Sequence, residues 1–504
     1  MIKRIIFLIY FIIACSKGIA NDFFSPIIVE KMVNDTLEVI NQNSSDIGVF
    51  KDSSFVIVWI EEQSNNRNVV CQQFDANWTK IGNQYNINNN LNYCKLPKIT
   101  IINDEDFILT WIEFDTISNN WNILGQYLNK NNSNINITNT TIKNNIYITG
   151  LTTESDSDNN FIVLWSESDE EYNFEKSIIY LQKYTNTFQK IGNAISISTG
   201  YEPCIGLNKN GKGVLSWIND NIIYAKEFHF SDSLFSNNSY QVNNVNSISS
   251  AQKVSINESG DYIISWRKRT YNSSQWDETT SIYSKLYKFG NNSLGKNITI
   301  TSRASNFSYF NVAINTNYAI LIWEDHRKYS YMDGSELYLQ KLNLNGNLDG
   351  DNFHLTNIDS YTESSPSLFL LDNILFTSYS AYKFGNWDIF LNISSIENKP
   401  NNIDYKSVQF PSTFTLYQNF PNPFNPKTII KYNIQENQKV KLDIYNLEGK
   451  LVKTLVNEYQ TPGEYNIILT GTDLSTGIYF YKLIVGSFVE TKKCMLLKYE
   501  QSRT

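Results

Sequence analysis

Phe55-Val-Ile-Val-Trp59 is a short apolar run that ends in tryptophan, and the chain repeats it. The later copies are Phe107-Ile-Leu-Thr-Trp111, Phe161-Ile-Val-Leu-Trp165, Gly213-Val-Leu-Ser-Trp217, Tyr262-Ile-Ile-Ser-Trp266 and Ala319-Ile-Leu-Ile-Trp323. The tryptophans stand 52, 54, 52, 49 and 57 residues apart, and a seventh copy, Ile374-Leu-Phe-Thr-Ser378, carries serine 55 residues further on. Regular self-similarity of this kind marks a repeat architecture and must be read before any single element.

Each copy holds more than its tryptophan. Upstream lies an apolar run with a polar tip, as in Pro97–Phe107 (PKITIINDEDF) and Lys253–Tyr262 (KVSINESGDY), which reads as a hairpin turning at Asp, Asn or Gly. Downstream comes a further apolar run, such as Ile178–Tyr184 (IIYLQKY) or Leu337–Asn343 (LYLQKLN), and often a fourth. Four short strands per repeat of about 53 residues is the pattern of a β-propeller blade. The seventh copy ends at its third strand, near Ile393, while Thr36-Leu-Glu-Val-Ile40 stands alone ahead of the first copy. A closed ring leaves no sheet edge exposed, so Thr36–Ile40 is expected to complete the last blade.

The 504 residues are too many for one ordinary core. Aromatic residues make up 14% of the chain, which favours strands. A net charge of −8 without a Lys/Arg stripe argues against a nucleic-acid partner. Residues 1–20 read as a secretory signal, with Lys3 and Arg4 before an apolar run too short to span a bilayer. Two readings of its processing stand: a cut ahead of Asn21, or lipidation of Cys15 in a lipobox-like Ile12-Ile-Ala-Cys15. Of the remaining cysteines, Cys71 and Cys94 are the one plausible disulfide, with free thiols as the alternative. No cysteine pair has zinc-ligand spacing, and no cofactor is expected.

Near the C-terminus three of the ten prolines, Pro421, Pro423 and Pro426, fall within six residues. Proline fixes φ and removes a donor, so this stretch is stiff and non-helical, the start of a separate module. After it come apolar runs separated by turns at Leu447-Glu-Gly449, Pro462-Gly463 and Thr476-Gly477, giving about seven strands in a small Ig-like sandwich. From about Phe414 to Lys498 the chain resembles the type A C-terminal sorting domain of type IX (Por) secretion cargo. The matching residues are Gln418-Asn-Phe-Pro-Asn-Pro-Phe-Asn-Pro426, Lys439–Val456, Pro462-Gly463-Glu-Tyr, Leu474–Lys482 and Glu490–Lys498. The resemblance implies passage through an outer-membrane type IX translocon, then secretion or attachment at the cell surface. The repeats resemble Trp-repeat arrays common in such cargo, best at Trp323-Glu-Asp-His-Arg327 followed by Glu336–Lys341; that resemblance carries no assigned activity.

Candidate sites are weighed against plain structural roles. Three histidines, His229, His326 and His354, are scattered among repeats with no serine elbow or cysteine partner. Asp156-Ser-Asp-Asn-Asn160 has the start of a calcium-loop string, but Phe161 stands where that loop needs glycine, so it reads as a hairpin tip. Two residues past the tryptophans stand Glu61, Glu113, Glu167, Asn219, Lys268 and Asp325. Glu61, Glu113, Glu167 and Asp325 could share one face as an acidic rim for a cation or basic ligand, or be solvated strand ends.

The sequence therefore reads as an all-β chain: signal peptide 1–20, seven-bladed β-propeller 30–398, linker 399–412, and Ig-like sorting sandwich 413–504. The expected role is a monomeric secreted or cell-surface binding or adhesion protein, with a glycan or protein ligand. The alternative is a carbohydrate-active enzyme, a glycoside hydrolase, on the same scaffold.

Overall fold

The computed structural model describes residues 24–34, 41–63, 66–88, 93–116, 119–131, 140–143, 147–168, 176–232, 238–243, 248–272, 277–291, 295–304, 309–325, 334–355, 362–382, 386–396, 414–434, 438–460, 463–472, 474–486 and 488–498. Every element in them is a strand. The expected signal (1–20), the linker (399–412) and the expected closing strand Thr36–Ile40 lie outside the described residues. The chain forms two compact units, divided after Asn402.

In the first unit the strands run in antiparallel groups of four. One sheet holds Tyr147–Ser155, Phe161–Ser168, Ile178–Tyr184 and Lys190–Thr199 in that order; the next holds Tyr201–Leu207, Lys212–Asn219, Ile222–His229 and Tyr240–Gln241. Two larger sheets are each a pair of such groups joined at a single residue pair, Arg67 with Tyr93 in one and Ala304 with Asp325 in the other.

The second strand of each group explains the apolar runs. It lies between two neighbours in its own sheet and between two flanking sheets, so both of its faces are covered and alternation disappears. Phe55 to Ile60 are all buried, as are the six repeat tryptophans, none more than 3% exposed. Each core cluster joins two consecutive groups: Val56, Val58 and Ile60 pack with Leu109 and Trp111, and Ile162 and Leu164 with Leu215 and Trp217. In four groups a tyrosine on the third strand faces the tryptophan and stacks on it, as Tyr180 does on Trp165 with ring centroids 5.8 Å apart.

The first strands lie side by side in chain order, from Asn41–Val49 through Tyr93–Ile101 onward, and the last, Thr362–Leu371, packs back on Asn41–Val49. Asp46 ties three of them: its carboxylate accepts the Ser367 hydroxyl (2.7 Å) and the Ile99 N–H (3.2 Å), with Lys98 Nζ 3.7 Å away.

An N-terminal strand completes the last sheet, but it is Ser25–Met32, ahead of the expected start at residue 30. It pairs antiparallel with Trp387–Ser395, Ile28 opposite Ile393 and Met32 opposite Phe390. Pro26 fits in this strand because an outermost strand has a free N–H side where proline is tolerated. The junction is held by Asn34, whose Nδ2 donates to Asp388 Oδ1 (2.9 Å) and whose Oδ1 accepts the Ile389 N–H (3.0 Å).

The second unit is two antiparallel sheets around one core. Thr415–Leu416, Lys427–Ile434 and Gly463–Thr470 form one, and Leu451–Gln460, Gln438–Asn446, Gly477–Val485 and Phe488–Leu496 the other. Ile430, Tyr432, Leu442, Tyr481 and Leu496 meet inside. The buried Tyr481 hydroxyl donates to Tyr417 O and accepts the Asn419 N–H, fixing the start of the proline stretch to the core.

Truncating a buried tryptophan removes its packing and leaves a cavity. Trp111→Ala and Trp323→Ala should each lower the unfolding free energy by about 3–5 kcal/mol in urea denaturation followed by far-UV circular dichroism.

Candidate functional site

Residues two apart on a strand share a face, so a carboxylate two past a tryptophan can reach its indole N–H. Trp165 Nε1 donates to Glu167 (2.7 Å), Trp323 Nε1 to Asp325 (2.9 Å) and Trp111 Nε1 to Glu113 (3.4 Å). Glu113 and Asp325 are buried, 4% and 1% exposed, while Glu61 and Glu167 are half-buried. Trp217, with Asn219 two residues on, has no protein acceptor for its indole N–H, and neither has Trp59, although Glu61 stands at the same spacing. The spacing that suggested a rim thus satisfies buried indole donors in three groups, and among the described residues no three His, Cys, Asp or Glu side chains gather to hold a metal ion.

The other singled-out residues have local roles. Asp156 Oδ1 accepts the N–H groups of Asp158 and Asn160, each at 2.9 Å, and so closes a hairpin tip. His229 packs edge-on to Phe289, His354 stacks on Tyr338 with Nε2 3.3 Å from Glu336, and His326 lies outside the described residues. Of the two readings left open for Cys71 and Cys94, a disulfide or free thiols, the structure has the second: both thiols are free and buried in one apolar cluster. Burial pushes the Cys71 thiol up to about 12, so it stays protonated.

A different set of side chains converges where the first strands begin. Here several first strands carry a bulge, with Leu96, Glu202, Ala251 and Ser365 at positive φ. Bulges re-aim side chains and are frequent beside binding sites. At this end Arg267 Nε donates to Ser250 Oγ (3.1 Å), and the Ala251 N–H donates to Glu202 Oε2 (2.9 Å). Glu324 Oε1 accepts both the Ser364 hydroxyl (2.7 Å) and the Ser365 N–H (2.8 Å). Burial lowers the Arg267 guanidinium pKa, Arg269 beside it adds to the fall, and Glu202 and Glu324 oppose it. Tyr309, 59% exposed, stands at the same place and accepts the Glu324 N–H at its carbonyl (3.2 Å).

This cluster was missed in the sequence, although a signal existed. The position after the tryptophan is Ile60, Ile112, Ser166 and Ile218 in the first four copies, then Arg267 and Glu324 in adjacent ones. Charge at a position otherwise mostly apolar is the departure that marks the site.

Burial pushes the Glu324 carboxyl from its ordinary 4.5 up to about 7, against the pull of its hydrogen bonds from Ser364 and Ser365. The folded chain therefore holds an extra proton between those two pH values, and stability should fall as pH rises through that window. Glu324→Gln should flatten that part of the curve, read by urea denaturation at a series of pH values.

Residues 418–497 match the family model of the secretion system C-terminal sorting domain. The chain therefore carries a type IX sorting domain and is exported to the cell surface or the medium. A search of the curated proteins finds no match. Among solved structures, the chain is similar to the polysaccharide lyase Uly1, at 10% identity and a TM-score of 0.47 over 70% of this chain and 90% of that one. It is also similar to a Dyadobacter fermentans protein of unknown function (13%, 0.43, 74% and 99%) and to Trypanosoma rangeli sialidase (10%, 0.38, 94% and 91%). No residue role is carried over at these values.

Proposed function

We propose that this type IX cargo is a seven-bladed β-propeller that binds a glycan or protein ligand outside the cell, with an immunoglobulin-like sandwich as its sorting module. The four-stranded groups, the circuit of first strands and the N-terminal strand in the last sheet support the ring. The observation that carries the binding site is the convergence of Glu202, Arg267, Arg269, Tyr309 and Glu324 from separate groups at one end of the first strands. Few, convergent polar groups with an exposed aromatic ring suit recognition of a polar ligand. Arginine forks fit carboxylate or sulfate oxygens two at a time, and the Tyr309 ring offers an apolar face.

The second reading, a carbohydrate-active enzyme on the same scaffold, has one observation in its favour. Burial holds the Glu324 carboxyl up at about 7, the range that suits a general acid. Its buried oxygen already holds two hydrogen bonds within the protein, which favours a positioning role and so the binding reading.

A glycan array probed with the full exported chain tests both readings. Arg267→Lys with Arg269→Lys should weaken binding of the best glycan by roughly tenfold or more, since lysine cannot reproduce a bidentate contact, with the melting temperature unchanged. Unchanged affinity in that variant would move the site elsewhere. Turnover of the bound glycan, lost in Glu324→Gln, would establish the enzyme instead. In a host with type IX secretion, removal of residues 413–504 should leave the protein in the periplasm, read by cell fractionation.

A further inference from the structure

We infer that the outer face of the three-stranded sheet in the C-terminal unit is the surface by which the type IX export machinery holds this chain. The inference rests on the reading of this unit as a sorting domain and adds which face is recognised. Phe420 is 80% exposed, Ile429 47% and Ile468 59%. They are not scattered. Phe420 and Ile429 face each other in an antiparallel bridge, with N–H···O bonds of 3.0 Å in both directions, and Ile429 is paired with Ile468 in the ladder. Directly opposed residues point to the same side of a sheet, so the three side chains form one apolar row across three lengths of backbone.

The inner face of the same strand is already filled: Thr428, Ile430, Tyr432 and Ile434 are buried in the unit's core. A sheet with one wet face normally places polar residues on it. Lys427–Ile434 does so at Lys427 and Lys431, on either side of Ile429. Tyr417 extends the row, with Lys431 Nζ 5.4 Å from its ring centroid. The face is thus an apolar strip flanked by ammonium groups. A contiguous exposed apolar row with a polar border marks an interaction site.

Two observations identify the occupant. Phe420, Ile429 and Ile468 all lie within 418–497, the residues that match the sorting-domain family. The lysines select a partner whose apolar patch is bordered by carboxylates. We therefore assign the row to an outer-membrane protein of the export machinery with that surface. Leu447 and Leu451, exposed at a hairpin of the other sheet, lie outside this row and serve as controls.

The test uses the full chain in a host with type IX secretion, scored by surface labelling and fractionation. Phe420→Ser, Ile429→Thr and Ile468→Thr together should lower surface display by roughly tenfold or more, as expected for loss of a hot-spot cluster. The protein should then collect in the periplasm. Phe420→Ser alone, at a side chain that supports no core, should act in the same direction, as should Lys427→Glu with Lys431→Glu. Leu447→Ser with Leu451→Ser should export normally. A photoreactive residue at position 420 should crosslink to an outer-membrane component of the machinery. Normal export of Phe420→Ser and the triple variant, with export still lost on removal of 413–504, would overturn this face while leaving the sorting role intact. Crosslinks into lipid or into this chain's own residues before 402 would overturn it as well. Normal export without 413–504 would instead overturn the sorting role itself.

Discussion

The pairing of Ser25–Met32 with Trp387–Ser395 is the constraint on which the repeat body depends. Every other four-stranded group of the repeat body is made from consecutive strands, whose local turns limit the entropy lost on pairing. This one joins the two ends of the repeat region. Without it, Trp387–Ser395 would be an open edge with unpaired N–H and C=O groups, a template for association with other chains. The buried Asn34 amide makes the junction specific, because one side chain donates to Asp388 Oδ1 and accepts the Ile389 N–H. Asp46 does similar work between first strands, where Thr362–Leu371 meets Asn41–Val49 and Tyr93–Ile101. Polar residues thus fix the register of contacts whose strength comes from the apolar second strands.

Much of this was legible because burial on both faces leaves a strong mark. A strand covered on both sides is apolar at most positions, with small hydroxyl residues such as Thr110 and Ser216 as the exceptions, and a tryptophan at its end packs with the preceding group. Such runs stand out even in a chain rich in asparagine. The closing strand did not stand out, because an outer strand needs one good face only. Pro26, Glu30 and Lys31 hide the pattern that Ile28 carries.

The candidate site was hidden for a different reason. Arg267 and Glu324 each follow a tryptophan and look like ordinary strand residues when read singly. Their meaning depends on neighbouring groups bringing them to one place, together with Glu202 from a third group and Ser364 from a fourth. The acidic residues that did stand out lie on the tryptophan's own face, where Glu113, Glu167 and Asp325 cap indole donors. Regular repetition signals scaffold, and departure from it signals recognition.

The hairpin tips carry a consequence for life outside the cell. Asn103, Asp156, Asn208, Asn257 and Asn315 each use one side-chain oxygen to hold two backbone N–H groups of the turn that follows. Exposed tips are where proteases usually nick a folded chain, and a protease must first draw its substrate into an extended form. Here that opening breaks two side-chain bonds as well as the turn. An exported protein meets the digestive enzymes of its surroundings with no chaperone to repair it. Its clipped, rigid turns give it durability at the ends of its strands, where a repeat protein is otherwise easiest to cut.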